Sequence, residues 1–438
     1  MGKIKIQTIR KITLSLAVFS MVLLSAGCFG GGSTPSRVTL KIWKPFVDSD
    51  KMNTIIQEYR KARPNVTIEY TRKNIENYEQ DLLNALAAGS GPDIFSINNT
   101  WLTQYLDKIS PAPESFYTIR DYREAFVDAV ANEMIRDNRI YGTAMWVDSL
   151  ALYYNKDLLG TAGIATPPRT WDQLARDVRR IKAQDSSGYF TRSGVAMGMY
   201  ENVNRAQDII YLLMLQAGAV PWTQDGRTPT FANSIQRSGQ TVNPGVLGVD
   251  FYTSFANPSR ENYNWNAQSD YSVDAFANGR AAFLYGYSYT RAQIDAKAPN
   301  LNYDVANVPQ FDLSQPSVNY ASYYAEVVSR QASSQVQAAA WDFLKFATSK
   351  EALDAYYARD KQPSSRRDLI ALQTSDLEVG VFAHANLTAK TFQKYDEARY
   401  DAIFSEVVNN ILFGGQTPQN ALSRAQSQVG ALVSQRLF

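Results

Sequence analysis

A chain of 438 residues is too long for one compact core, so two domains or lobes are the default. Hydrophobic residues at 45% and charged residues at 20% give the profile of a folded soluble protein. The 44 basic and 42 acidic residues nearly cancel, and the nearest thing to a basic run is the pair Arg366-Arg367, which argues against a nucleic acid partner.

The chain opens with Lys3, Lys5, Arg10 and Lys11, followed by an apolar run from Ile12 to Leu24 and then Ser25-Ala26-Gly27-Cys28. A basic leader, a short apolar stretch and small residues before a break describe an export signal over residues 1–27. The apolar run falls short of the ~20 residues that span a bilayer as a permanent helix. Cys28 is the sole cysteine, so it has no internal disulfide partner, and it sits where a signal peptidase leaves a new N-terminus. Leu24-Ser25-Ala26-Gly27-Cys28 resembles the lipobox of bacterial lipoproteins, with Ser25 in place of the usual aliphatic residue. That resemblance implies diacylation of Cys28 and anchorage to a membrane. Residues 28–36, rich in Gly and Ser, read as a flexible tether reaching roughly 15 Å.

Val38 to Trp43 is β-rich and starts the fold. Met52, Ile55, Ile56 and Tyr59 mark one face of a helix that Pro64 ends, and Val66 to Tyr70 alternates as a second strand. Tyr78, Leu82 and Leu86 form another helical stripe, stopped by Gly89 and Gly91, and Asp93 to Ile97 is a third strand. This order predicts a doubly wound α/β lobe, whose ligands bind beyond the carboxyl ends of the strands. Lys44-Pro45-Phe46 and Asn98-Asn99-Thr100-Trp101 occupy those ends. Leu150 to Asn155 reads as a strand, Thr170 and Gln173 as a capping box opening a helix, and Asp225-Gly226 as a turn. Between Gln236 and Trp265 the periodicity weakens. Phe276 to Leu284 reads as a helix end, a glycine turn and a buried strand, with Tyr285, Tyr287 and Tyr289 after it. Ala338 to Ala347 is a helix with Trp341, Leu344 and Phe346 inward or nearly so.

Several segments together carry a family likeness: Leu86 to Phe95 (LAAGSGPDIF), Ile140-Tyr141-Gly142, Tyr153 to Leu158 (YYNKDL), Ala162 to Pro168, Thr170 to Leu174 (TWDQL) and Phe276 to Ala282 (FANGRAA). In that order and spacing the chain resembles the extracellular solute-binding proteins of ABC importers, in the group of the maltose-type binding proteins. The resemblance implies a two-lobe, periplasmic-binding-protein-like α/β fold with a hinge and an interlobe cleft. It also implies lobe one over 37–147 plus 325–350, lobe two over 148–324 plus 351–438, and crossovers near Trp146 to Leu150 and near Tyr324 to Val328. ABC permease subunits would be the partners, the chain would act as a monomer outside the cytoplasmic membrane, and no cofactor or metal would be needed.

A sugar ring presents an apolar face that stacks on an aromatic ring and hydroxyls that need paired donors and acceptors. The expected ligand-binding set is therefore Phe46, Asn99, Trp101, Trp146, Asp148, Trp222, Trp265, Tyr285, Tyr287, Tyr323 and Arg366, with Trp43 and Tyr324 nearby. Tyr287 is the preferred stacking platform, because the resembling family places an aromatic just after the Gly-Arg-Ala-Ala strand. For each of these aromatics core packing is the alternative reading, and for Arg366-Arg367 a surface pair is. The expected solute is a mono- or oligosaccharide; a polyol, a glycerophosphodiester, a peptide or an anion stays open. A secreted hydrolase is the rival class, yet the single histidine, His384, has no nucleophile elbow to serve and no His/Cys cluster exists for zinc. A surface adhesin is the other rival, and the lack of repeats argues against it.

Overall fold

The computed structural model describes residues 37–437. The expected export signal, Cys28 and the tether over 28–36 lie outside the described residues. Among the described residues, no helix is long and apolar enough to cross a membrane.

The first strand, Val38–Lys44, buries Val38, Leu40 and Ile42 on alternate positions and pairs in parallel with Val66–Arg72, from Val38 opposite Val66 to Lys44 opposite Arg72. It also pairs in parallel with Ile94–Asn98. Helices Ser49–Ala62 and Ile75–Ala87 make the crossovers, and the stripes Met52, Ile55, Ile56, Tyr59 and Tyr78, Leu82, Leu86 are the faces they bury. The Asn74 side chain accepts from the Glu76 N–H and starts the second of these helices. The sheet is completed by Tyr324–Ser329, which returns antiparallel beside Ile94–Asn98, and by Ile109–Ser110 at the edge.

A second five-stranded sheet has the order Tyr303–Ala306, Ala151–Asn155, Ala281–Gly286, Phe190–Val195, Ala183–Gln184. Every residue of Ala281–Gly286 is buried, as expected of a central strand covered on both faces. Helix Trp171–Ile181 begins at the expected cap: Thr170 Oγ1 accepts from the Gln173 N–H at 3.2 Å, while Gln173 Oε1 accepts at 3.0 Å from the N–H of Arg169, one residue before the cap. Helices Ala206–Ala217 and Pro244–Ser254 pack side by side, and the first also lies against strand Asn319–Ser322.

The described core residues fall into two clusters, one per sheet, so the molecule has two α/β lobes. Between them lies a three-stranded ribbon in the order Ala389–Lys390, Asn319–Ser322, Asp148–Ser149. Each ribbon strand carries the chain from one lobe to the other. The first crossing runs from Val147 in the first core to Leu150 in the second, and the next from Tyr320 in the second core to Tyr323 in the first. The third crossing runs from Ala389 in the first core to Phe392 in the second.

One expected boundary is corrected by this packing. The segment from 351 was assigned to lobe two, yet Leu353, Tyr356, Tyr357, Leu369 and Ile370 all join the first core. The reason is tertiary packing: helix Lys350–Tyr357 follows directly on Ser334–Ala347 and lies against Ser49–Ala62. Lys51 pairs with Asp360 at 2.6 Å and Arg359 donates to Thr54 Oγ1 at 2.7 Å. The chain makes its last crossing near residue 390, after Phe382 has reached into the second core.

Candidate functional site

The strand ends of lobe one point at the ribbon and carry three rings. Phe46 and Trp101 both meet Tyr324 edge-on, with centroids 5.0 and 6.0 Å away. Phe46 is 49% exposed, so the apolar group is open on one side. Trp146 lies beside the carboxyl end of the first strand, half-buried, with Lys44 Nζ 5.2 Å above its ring. Lys44 itself is buried and paired with Glu326, which also accepts from Ser96 Oγ at 2.8 Å.

Lobe two faces these rings with a charged and aromatic wall. Arg205 precedes helix Ala206–Ala217 in a left-handed conformation, φ 57°, a strained geometry for a side chain with a Cβ. From there its Nε and Nη2 donate to the Tyr289 hydroxyl at 2.8 and 2.6 Å, and its guanidinium stands 5.3 Å from the Tyr287 ring centre. The Tyr287 hydroxyl donates to Asp208 Oδ2 at 3.0 Å. The rings of Tyr287 and Tyr289 stack with centroids 5.8 Å apart. The two walls face each other closely enough to share a hydrogen bond. Thr100 Oγ1 donates to Glu397 Oε2 across the gap at 3.2 Å.

A hollow of about 590 Å³ opens in the lobe-two wall, lined by residues 200–201 and 203–208, by Tyr271, and by Glu397, Asp401 and Ser405. That volume is within the range of small-molecule sites. A larger hollow of about 1500 Å³ lies elsewhere on lobe two, between the Trp171–Ile181 and Pro244–Ser254 helices and the 310–318 loop, and shares no residue with the cleft walls. His384 lines a third hollow of about 330 Å³ with Pro167 and Asn319, also separate from the cleft.

Buried carboxylates brace the ribbon. Glu133 accepts from Tyr323 Oη at 2.7 Å, from Asn99 Nδ2 at 3.0 Å and from Thr391 Oγ1, joining lobe one to two of the three crossings. Burial pushes its pKa up, against the pull of those three hydrogen bonds. Asp148, on the remaining crossing, accepts from Ser288 Oγ at 2.6 Å and from Ser288 N at 2.9 Å. Burial raises its pKa to about 7 even against those bonds.

The expected site residues therefore divide. Phe46, Trp101 and Trp146 stand on the lobe-one wall, and Asp148 and Tyr287 lie behind the lobe-two wall. Asn99 spends its amide on Glu133 and, through Oδ1, on the Tyr323 N–H, so it braces the hinge, as does Tyr323. Trp222 donates from Nε1 to the Gln393 carbonyl at 3.1 Å and packs on Tyr395, which ties it to the third crossing.

Three expectations are overturned outright. Trp265 is 1% exposed and its Nε1 is spent on Asn202 Oδ1 at 3.0 Å. Tyr285 points from a central strand into the core against Trp171. Arg366 is locked by two bonds to Asp368 and one to the Thr348 carbonyl, inside lobe one. The stacking platform also shifts. Tyr287 is 1% exposed, whereas Tyr289, two residues on, is 42% exposed. Arg205, Asp208, Tyr289 and Glu397 were not read from the sequence. The only signal was the third tyrosine of the run, since Arg205 and Asp208 open a helix whose other positions are almost all apolar. Among the described residues no group of three or more His, Cys, Asp or Glu is placed to hold a metal.

The profile of the family described as bacterial extracellular solute-binding protein matches residues 45–354. A Brucella abortus (strain 2308) chain named as a binding protein is 25% identical over 271 residues, 60% of this chain and 61% of that one. The multiple sugar-binding protein of Streptococcus mutans is 20% identical over 364 residues, 81% of this chain and 82% of that one. Among solved structures, the sugar-binding protein MalE from the phytopathogen Xanthomonas citri superposes with a TM-score of 0.75 at 19% identity, covering 91% of this chain and 98% of that one. A cyclo/maltodextrin-binding protein complexed with maltotetraose gives 0.72 at 18% identity, covering 92% and 98%. These likenesses show the two-lobe solute-binding fold.

Proposed function

The chain belongs to the bacterial extracellular solute-binding protein family, and from that premise we propose that it is the lipid-anchored receptor of an ABC importer, closing its lobes on a mono- or oligosaccharide. The observation that carries the reading is the pair of facing walls around a three-strand hinge: Phe46, Trp101 and Tyr324 on one side, Arg205, Asp208 and Tyr289 on the other. Aromatic faces beside charged and amide groups supply both halves of sugar recognition, stacking on the ring and pairing of its hydroxyls. The ligands in the names of the relatives point the same way: multiple sugars, maltodextrins and maltotetraose.

In this reading lobe one runs over 37–147 and 323–389 and lobe two over 150–320 and 391–437. Ligand shifts an open–closed equilibrium by as much as it prefers the closed form. The permease reads the closed pair, and Cys28 carries the lipid that keeps the receptor at the membrane. The solute leaves chemically unchanged, and the receptor works without metal or cofactor as a monomer.

The direct test is a thermal-unfolding screen over mono- and oligosaccharides. A binder present at a hundredfold excess over its Kd stabilises the chain by about 2.7 kcal/mol. A shift with at least one saccharide, which is recovered intact, is expected. No shift with any of them, or conversion of the saccharide to product, would contradict the proposal. Growth of the full-length chain with labelled palmitate tests the anchor: label is expected on the wild type and absent from Cys28→Ser.

A further inference from the structure

The lobe-two hollow is not electrically neutral. Glu201, Asp208, Glu397 and Asp401 line it, against the single guanidinium of Arg205. Two of the carboxylates have cations of their own: Asp208 faces Arg205 at 3.9 Å and Glu397 pairs with Lys394 at 2.6 Å. Glu201 and Asp401 have only neutral donors. Glu201 accepts from Asn409 Nδ2 at 2.9 Å and Ser405 Oγ at 3.0 Å, and Asp401 from Tyr200 Oη at 2.6 Å. Among the described residues neither joins an ion pair. Both are exposed, and Glu201 is held beside Asp401 because it bonds Ser405, one turn beyond Asp401 on helix Glu397–Leu412. Burial acts to raise the Glu201 carboxyl, but the hydrogen bonds prevail and hold it below its ordinary value, so it is charged at neutral pH.

A second feature shows that the hollow is built for an occupant. Gln207 is 7% exposed and lines it. Its Oε1 accepts from Lys394 Nζ at 2.9 Å, which fixes the amide orientation, because an ammonium offers only donors. The Nε2 group is thereby turned away from Lys394 and has no partner, and the Nδ2 of Asn204 beside it is likewise unpaired. A buried N–H left without an acceptor costs about 1–3 kcal/mol. An incoming hydroxyl oxygen would satisfy it.

We propose that this hollow selects a hydroxylated ring bearing a protonated amine, an amino sugar, with ring hydroxyls on Gln207 and Asn204 and the ammonium between Glu201 and Asp401. The inference rests on the carbohydrate reading above and narrows it. The two carboxylates without cations repel a uronate or a phosphate, and for a neutral sugar they would remain uncompensated on closure.

Calorimetric titration of the full chain separates the possibilities. The probes are gluco-, galacto- and mannosamine and deacetylated chitobiose, each with its N-acetyl form, the parent neutral sugar and, for the monosaccharides, the matching uronate. The amine is expected to bind about tenfold or more tighter than its neutral counterparts, with an advantage that shrinks as salt is raised. Glu201→Gln with Asp401→Asn keeps an acceptor at each place and is expected to erase the advantage, bringing the amine and its neutral counterpart to equal affinity. Neutral or uronate forms binding as tightly as the amine, or an advantage that survives the double substitution, would overturn the inference and leave the carbohydrate reading standing. No binding by any probe would also overturn the inference, while the carbohydrate reading is decided separately by the wider saccharide screen.

Discussion

Tyr289 and Trp265 make the sharpest contrast at the scale of single residues, because both are aromatic and only one is open to a guest. Tyr289 is 42% exposed, so Tyr289→Ala is expected to leave the unfolding midpoint nearly unchanged and to weaken saccharide binding by about ten- to a hundredfold. Trp265→Ala is expected to do the reverse, costing about 3–5 kcal/mol of stability in denaturant titrations through the cavity it leaves. Tyr285 supplies a quieter test. Its hydroxyl is buried without a hydrogen-bond partner, so Tyr285→Phe is expected to be neutral or stabilising by about 1 kcal/mol. A large loss of binding in that variant would restore it to the site. Asp148 carries a pH signature. Its folded pKa is raised to about 7, above the unfolded value, so the native state holds a proton that the unfolded chain has already released. Through this group stability falls as pH climbs from about 4 to about 7. Asp148→Asn is expected to gain on the wild type over that window; unfolding curves that stay parallel at every pH would contradict the assignment.

Among the elements, helix Asp128–Met134 bears most directly on the hinge, because its Glu133 gathers donors from Asn99, Tyr323 and Thr391. Glu133→Ala strands three buried donors at once and is expected to cost roughly 3–5 kcal/mol in chemical denaturation, whereas Glu133→Gln, which keeps one acceptor, costs less. How far the elements were legible depended on whether one face alone had to be buried. The first strand and the two helices that follow it show clean alternation and clean stripes, and the structure buries the same residues. Helix Pro244–Ser254 was not legible. The periodicity weakens between Gln236 and Trp265, yet Gly248 is small so that the helix can lie on Ala206–Ala217, where a Cβ would come within 2.7 Å of the Met214 nitrogen. The cleft was half legible for a related reason. Tyr285, Tyr287 and Tyr289 look alike in sequence, and only the end of the strand at Gly286 decides which is core, which is second layer and which is surface.

Across the whole molecule, three separate crossings in one small ribbon allow two rigid cores to rotate with little change inside either. The misplaced boundary at 351 belongs to this scale, since no local pattern distinguishes a helix packed on lobe one from one packed on lobe two. Burial of Leu353, Tyr356 and Tyr357 in the first core, against a helix far back in the chain, decides it. The same design keeps the proposed recognition groups outside both cores, on strand ends and helix starts of the two lobes. Small-angle scattering of the chain with and without a saturating saccharide tests that claim most directly. A smaller radius of gyration in the bound form, with the sugar recovered unaltered, is the result expected. Saturable binding with an unchanged radius would contradict closure of the two lobes around a guest.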